Sequence, residues 1–169
     1  MVFIPTILFC TFGLLHYCPI TSFEVAGHKI SYDGGMLFMT IMFPIYLYIE
    51  LVTGIVSTVF YGSLYYISLC MFQEHSQDAE FQFGMTHFYF LVAVKSFAWC
   101  TQFIGHGVFE GRAPALLSNI FTTMVAPDFV FIEVLGWLGY NKKLLNECDK
   151  EIEADIAEFR AQKNAKKAK

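Results

Sequence analysis

The stretch from Met36 to Phe72 constrains the chain most, because it carries a single formal charge, Glu50. At 1.5 Å of rise per residue, one helix of that length would overrun the ~30 Å hydrocarbon layer of a bilayer. Two apolar helices with a break near Glu50 to Gly54 are the expected solution, with Pro44 placed to kink the first. Glu50 is read as the turn residue, with a role behind a metal ligand as the alternative. Three more apolar stretches flank this pair: Val2 to Cys18, Phe83 to Phe109 and Ala115 to Tyr140. The first is slightly short for a span, and Pro127 and Asp128 interrupt the last. The expected fold is all-α, a polytopic membrane helix bundle of about four to five apolar helices with a charged cytosolic C-terminal helix.

Composition supports that reading. Of 169 residues, 56% are hydrophobic and 15% charged, with mean hydropathy +0.49. Soluble domains carry more charge than this. The charge is also unevenly placed. Of eleven Lys and Arg, only Lys29, Lys95 and Arg112 precede Lys142. This predicts a membrane-embedded helical domain over 1–140 and a charged tail over 141–169. Lys142 and Lys143, directly after the last span, put the tail in the cytosol, whereas the acidic Gln73 to Gln82 loop suits the other side. The net charge of −4 averages two unlike regions and says little about partners. No basic patch interleaved with aromatics is present, so nucleic acid is not indicated. Five cysteines without CxxC spacing imply neither a disulfide framework nor a zinc site. The N-terminus lacks a basic start and a small-residue cleavage site, so it does not read as a signal peptide. The closing Lys166-Lys167-Ala168-Lys169 resembles a dilysine retrieval signal, which implies the endoplasmic reticulum membrane and recognition of Lys166-Lys167 by a coat protein. A solvated basic end is the alternative.

The chemistry concentrates in Trp99 to Leu116, WCTQFIGHGVFEGRAPAL. Read as a helix from Phe88 onward, Lys95, Trp99, Gln102 and His106 recur at steps of four, three and four, which places them on one face. Glu110 follows four residues after His106. An imidazole and a carboxylate one turn apart can both reach one metal ion. The same groups can instead bond helix to helix within the bilayer. Gly105 and Gly107 allow a close approach at the histidine, and Arg112 and Pro114 end the segment. Elsewhere, His16 beside Tyr17 reads as interfacial, with a metal role as the lesser alternative, and His28 and His75 as solvated. His87 lies nineteen residues before His106 and so at the far end of the helix. Glu133, inside the last apolar stretch, is open between ligand, proton carrier and bonded structural group.

Three segments together resemble the Mpo-type 2-hydroxy fatty acid dioxygenase family: FIPTILF near the start, QFIGHGVFEGRAPALLSN, and MVAPDFVFIEVLGWLGY. The similarity runs in order from Phe3 to about Tyr140. Its most specific part is Gly105, His106, Glu110, Pro114 and Ala115, and Trp99 and Gln102 match too. The resemblance implies a small multi-span endoplasmic reticulum protein. It also implies an Fe(II)-dependent activity that uses O2 to shorten a 2-hydroxy fatty acid by one carbon, in the α-oxidation that degrades phytosphingosine. Carried over by position, His106 is the metal ligand. Glu110 is a second ligand or the partner that orients His106, and Glu110 and Gln102 are the expected catalytic residues. In the family an H-x-x-x-N-x-x-x-H stretch comes before the segment aligned with Phe3-Ile4-Pro5, and this sequence starts after it. The expectation is either further ligands upstream of Met1 or a natural form with an incomplete site. A 2-hydroxy acid can chelate iron through hydroxyl and carboxylate and leave room for O2 beside three protein ligands.

Two other function classes stand beside the enzyme. In a non-enzymatic membrane interaction protein, the tail carries function and the polar stripe packs helices. Deleting Asn141 to Lys169 would then matter and His106→Ala would not. In a small transporter, Lys95, His106 and Glu133 would relay protons. That reading lacks the internal repeat such folds show.

Overall fold

The structure is a computed structural model that describes residues 3–25, 28–105 and 120–167. Among the described residues, six helices and one hairpin follow in order: α1 (Phe3–Leu15), β1 (Pro19–Val25), β2 (His28–Asp33), α2 (Gly34–Ile49), α3 (Leu51–His75), α4 (His87–Ile104), α5 (Ile120–Trp137) and α6 (Lys142–Lys167). Two compact units divide the chain, residues 1–100 and 101–169.

In the first unit, the break expected in the long apolar stretch falls on Glu50. Its backbone is extended, with φ −155° and ψ 127°. Its N–H closes α2 on the Tyr46 carbonyl at 3.3 Å, and its carboxylate accepts from Thr53 N at 2.7 Å to open α3. One residue thus satisfies orphan groups at two helix ends. The helices fold back on each other as a hairpin. Tyr46 of α2 meets Tyr61 of α3, and Gly35 near the start of α2 lies against Tyr65 near the middle of α3. Helix α1 runs antiparallel to α2, through Phe12 on Phe38, and parallel to α3, through Phe12 on Tyr65 and His16 on Phe72. Against α4 it is antiparallel: Phe3 meets Phe97, Gly13 lies under Leu91, and Tyr17 meets His87. Phe12, Met42, Tyr46, Tyr61 and Leu91 are buried in the resulting core.

The polar connector Pro19 to Gly35 folds differently from the sequence reading. Most of it is an antiparallel hairpin, β1 on β2, with Val25 opposite His28 and Glu24 opposite Lys29. Asp33 ends β2 and caps α2, its Oδ1 accepting from Met36 N at 2.9 Å.

Between α3 and α4, Gln82 and Met85 pair across a two-residue turn in which Phe83 and Gly84 have φ of 53° and 70°. A bulky residue in the left-handed region is unusual outside glycine and asparagine, and Phe83 projects 88% exposed from the tip.

Among the described residues, one helix, α3, is both long and apolar enough to cross a membrane. At 1.5 Å per residue, α1 and α2 fall short of a ~30 Å layer by length. Helix α3 is not a buried core helix. Val59, Phe60, Tyr66 and Ile67 are exposed on it. In the second unit, α5 continues through Pro127, where the sequence suggested an interruption, and Asp128 just after it is fully buried. Gly136 of α5 receives the Leu145 side chain of α6, and α6 carries the charged tail as one helix.

Candidate functional site

Helix α4 sets the polar stripe largely as its periodicity requires. Lys95, Trp99 and Gln102 are all half-buried along one side of it, beside the buried Leu91 and Ala98. The described α-helix runs to Ile104, and the described residues of this segment end at Gly105. His106 and Glu110, the expected metal ligands, and Glu110 again as a catalytic candidate, lie outside the described residues, as do Gly107, Pro114 and Ala115. Glu133 is half-buried on α5.

The sequence did not disclose a second polar centre, in the first unit, where α1 ends and α2 begins. His16, read as interfacial, is 3% exposed. Its Nδ1 lies 2.7 Å from Asp33 Oδ2. The antiparallel approach of α1 and α2, with the β-hairpin between them, closes this pair. Gly35 leaves room for it. A Cβ there would lie 3.1 Å from Tyr65 Cε2, 3.2 Å from Asp33 Oδ1 and 3.3 Å from His16 Cε1. The Tyr65 ring stands 5.1 Å from the imidazole and the Phe72 ring 5.5 Å. Nearby, the Tyr17 hydroxyl lies 3.0 Å from Nδ1 of the buried His87. His75, read as solvated, is partly covered, 2.9 Å from Asp78 and with its ring tilted against Phe81 at 4.7 Å. The available signal was Asp33 directly before an apolar run, a helix-start signature. Its pairing with His16 across the hairpin has none.

A carboxylate on one imidazole nitrogen fixes the ring and directs the other nitrogen away from it. His16 Nε2 is buried and has no hydrogen-bond partner among the described residues. Such a group can accept or donate a hydrogen bond, or move a proton. Among the described residues, no three His, Cys, Asp or Glu side chains come together to hold a metal ion.

On α6, burial pushes the Cys148 thiol up, and the nearby carboxylates of Glu151, Asp149 and Glu147 push it in the same direction. A raised value means less thiolate at a given pH. Alkylation of Cys148 at neutral pH should therefore be slower than that of a simple thiol, recovering only as the pH climbs beyond the ordinary thiol range. Glu151→Gln should speed it, as followed by mass spectrometry of the labelled peptide. An unchanged rate would remove Glu151 as a cause.

Residues 1–138 match the family described as 2-hydroxy-palmitic acid dioxygenase Mpo1-like. The chain belongs to the Mpo1-like family. A relative from Saccharomyces cerevisiae, the 2-hydroxy-palmitic acid dioxygenase MPO1, is 30% identical over 163 residues, which is 96% of this chain and 83% of that protein. No solved structure matches. The Mpo1-like match takes in α1 to α5 and stops before α6, so the charged helix lies outside it.

Proposed function

We propose that the chain is a membrane-resident dioxygenase that shortens 2-hydroxy fatty acids by one carbon with O2, in the α-oxidation step of phytosphingosine breakdown. The membership of residues 1–138 in the Mpo1-like family carries this reading, together with the yeast relative named for action on 2-hydroxy-palmitic acid. The proposed residence is the endoplasmic reticulum membrane, with several of the apolar helices embedded beside α3, α6 on the cytosolic side, and Lys166-Lys167 read by a coat protein. The exposed apolar side chains along α2, α3 and α4 support the embedding.

The proposed cofactor is Fe(II), which when bound supplies the activation of O2. The described residues do not by themselves provide its ligand set. The proposal assigns that role to His106, with Glu110 beside it, because an imidazole and a carboxylate at this spacing are donors suited to iron. The chain's own groups would do the rest. Gln102, half-buried at the end of α4, offers an amide that can both donate and accept hydrogen bonds. The apolar helix surfaces receive the alkyl chain and keep water from it.

The test uses the full chain purified from membranes and supplied with Fe(II), O2 and either 2-hydroxypalmitate or palmitate. The expected result is oxygen uptake and an acid one carbon shorter from the first substrate alone. A protein that holds iron and leaves 2-hydroxypalmitate unchanged would refute the reading.

A further inference from the structure

His16 is a buried imidazole with one nitrogen committed and the other orphaned. Nδ1 faces Asp33 Oδ2 at 2.7 Å, and because an ionised carboxylate can only accept, this contact favours the tautomer with the proton on Nδ1. Nε2 then presents either a bare lone pair or an N–H. In both states it is buried and lacks a partner among the described residues. Leaving such an atom unsatisfied costs the full desolvation of that nitrogen. The surrounding positions are nevertheless arranged around the ring. Gly35 gives up a side chain so that His16, Asp33 and Tyr65 can converge. Tyr65 is half-buried, with its ring 5.1 Å from the imidazole. The remaining walls are aromatic, Tyr65 and Phe72.

We propose that His16, held by Asp33 and bordered by Tyr65, binds the polar head of a 2-hydroxy fatty acid through Nε2. A 2-hydroxy acid places a hydroxyl donor and a carboxylate acceptor on adjacent carbons. It can therefore satisfy Nε2 as a lone pair or as an N–H. The anion of an unsubstituted fatty acid can satisfy only the N–H. Aromatic walls suit the first methylenes of an alkyl chain. The site also lies where the apolar α1 and α3 meet the polar hairpin, so a head can be held at the boundary while its tail follows the helices. The choice of ligand rests on the function proposed above; the orphaned nitrogen does not.

The test is binding without turnover. The full chain, labelled with ¹⁵N-histidine in detergent and kept free of iron and oxygen, is titrated with 2-hydroxypalmitate and then with palmitate. The His16 Nε2 resonance should move with 2-hydroxypalmitate and respond less to palmitate. His16→Phe, which keeps a ring against Tyr65 and Phe72, should weaken 2-hydroxypalmitate binding at least about tenfold. Asp33→Asn still caps α2 but no longer fixes the Nδ1 proton, so it should lose the preference for the hydroxylated acid. If His16→Phe fails to fold, the wild-type titration and Asp33→Asn decide. An unmoved resonance, or unchanged selectivity in Asp33→Asn, overturns the proposal and leaves a buried water as the partner of Nε2. The two readings fail separately. A chain that binds 2-hydroxypalmitate at His16 without shortening it refutes the proposed function alone. A chain that shortens it while His16→Phe binds normally refutes this inference alone.

Discussion

His106→Ala is expected to abolish iron-supported shortening of 2-hydroxypalmitate and to lower the iron retained per chain, with helix content unchanged. If His106 is a ligand, alanine removes a donor outright. Loss of an outer partner to a ligand already costs about 10–100-fold in metal affinity or activity, so loss of the ligand should exceed that. Glu110→Gln then separates the two roles left open for the carboxylate. A direct ligand should fail as badly as His106→Ala. A group that only orients His106 should lose roughly 10–100-fold and recover part of it at high iron. Iron per chain and product formed are measured together. Full activity in His106→Ala, with activity lost instead on removal of residues 141–169, would favour the interaction-protein reading. The tail helix α6 lies outside the family match, so that truncation leaves the matched region whole.

What the sequence disclosed and what it hid differ by the range of the interaction that decides each feature. The break at Glu50 was legible because it follows from length: too many apolar residues for one helix, and one polar residue able to cap both neighbours. The Lys95, Trp99 and Gln102 stripe was legible because helical periodicity is local. The hairpin from Pro19 to Asp33 is hidden in the sequence although Ala26-Gly27 separates two short runs rich in strand-forming residues, because its polar composition reads as a connector and strand pairing leaves no periodic mark there. Helix α5 passes through Pro127, so the proline that read as an interruption does not end the helix. His16 was placed at an interface because its neighbours are Tyr17 and the end of an apolar run. Its true surroundings come from Asp33, seventeen residues on, from Tyr65 and Phe72, and from a glycine whose value is the side chain it lacks. The two polar residues with the strongest sequence argument, His106 and Glu110, are outside the described residues, so their test is chemical.

Gly54→Ala is expected to be the most damaging single-methyl change among the described glycines. A Cβ at Gly54 would lie 2.5 Å from the Tyr46 carbonyl oxygen, 2.6 Å from its carbon and 2.8 Å from Leu47 N. All three atoms are backbone in the last turns of α2, so no rotamer change relieves the clash. Gly13→Ala and Gly136→Ala meet equally short distances, 2.6 Å in each, but against the ends of Leu91 and Leu145 side chains, which can turn aside. Overpacking of a core typically costs about 1–3 kcal/mol. The two leucine-facing variants should fall at or below that range, and Gly54→Ala above it. The effect should also travel. Helix α3 starts at Leu51 and carries Tyr65 and Phe72 to His16, so pushing its first turn off α2 tilts the walls of that site. Thermal unfolding in detergent should therefore rank Gly54→Ala well below the other two. The His16 ring resonances should shift in Gly54→Ala although the substitution lies more than two helical turns from Tyr65. Wild-type melting in Gly54→Ala would mean that the close crossing at Tyr46 is not what holds α2 and α3 together.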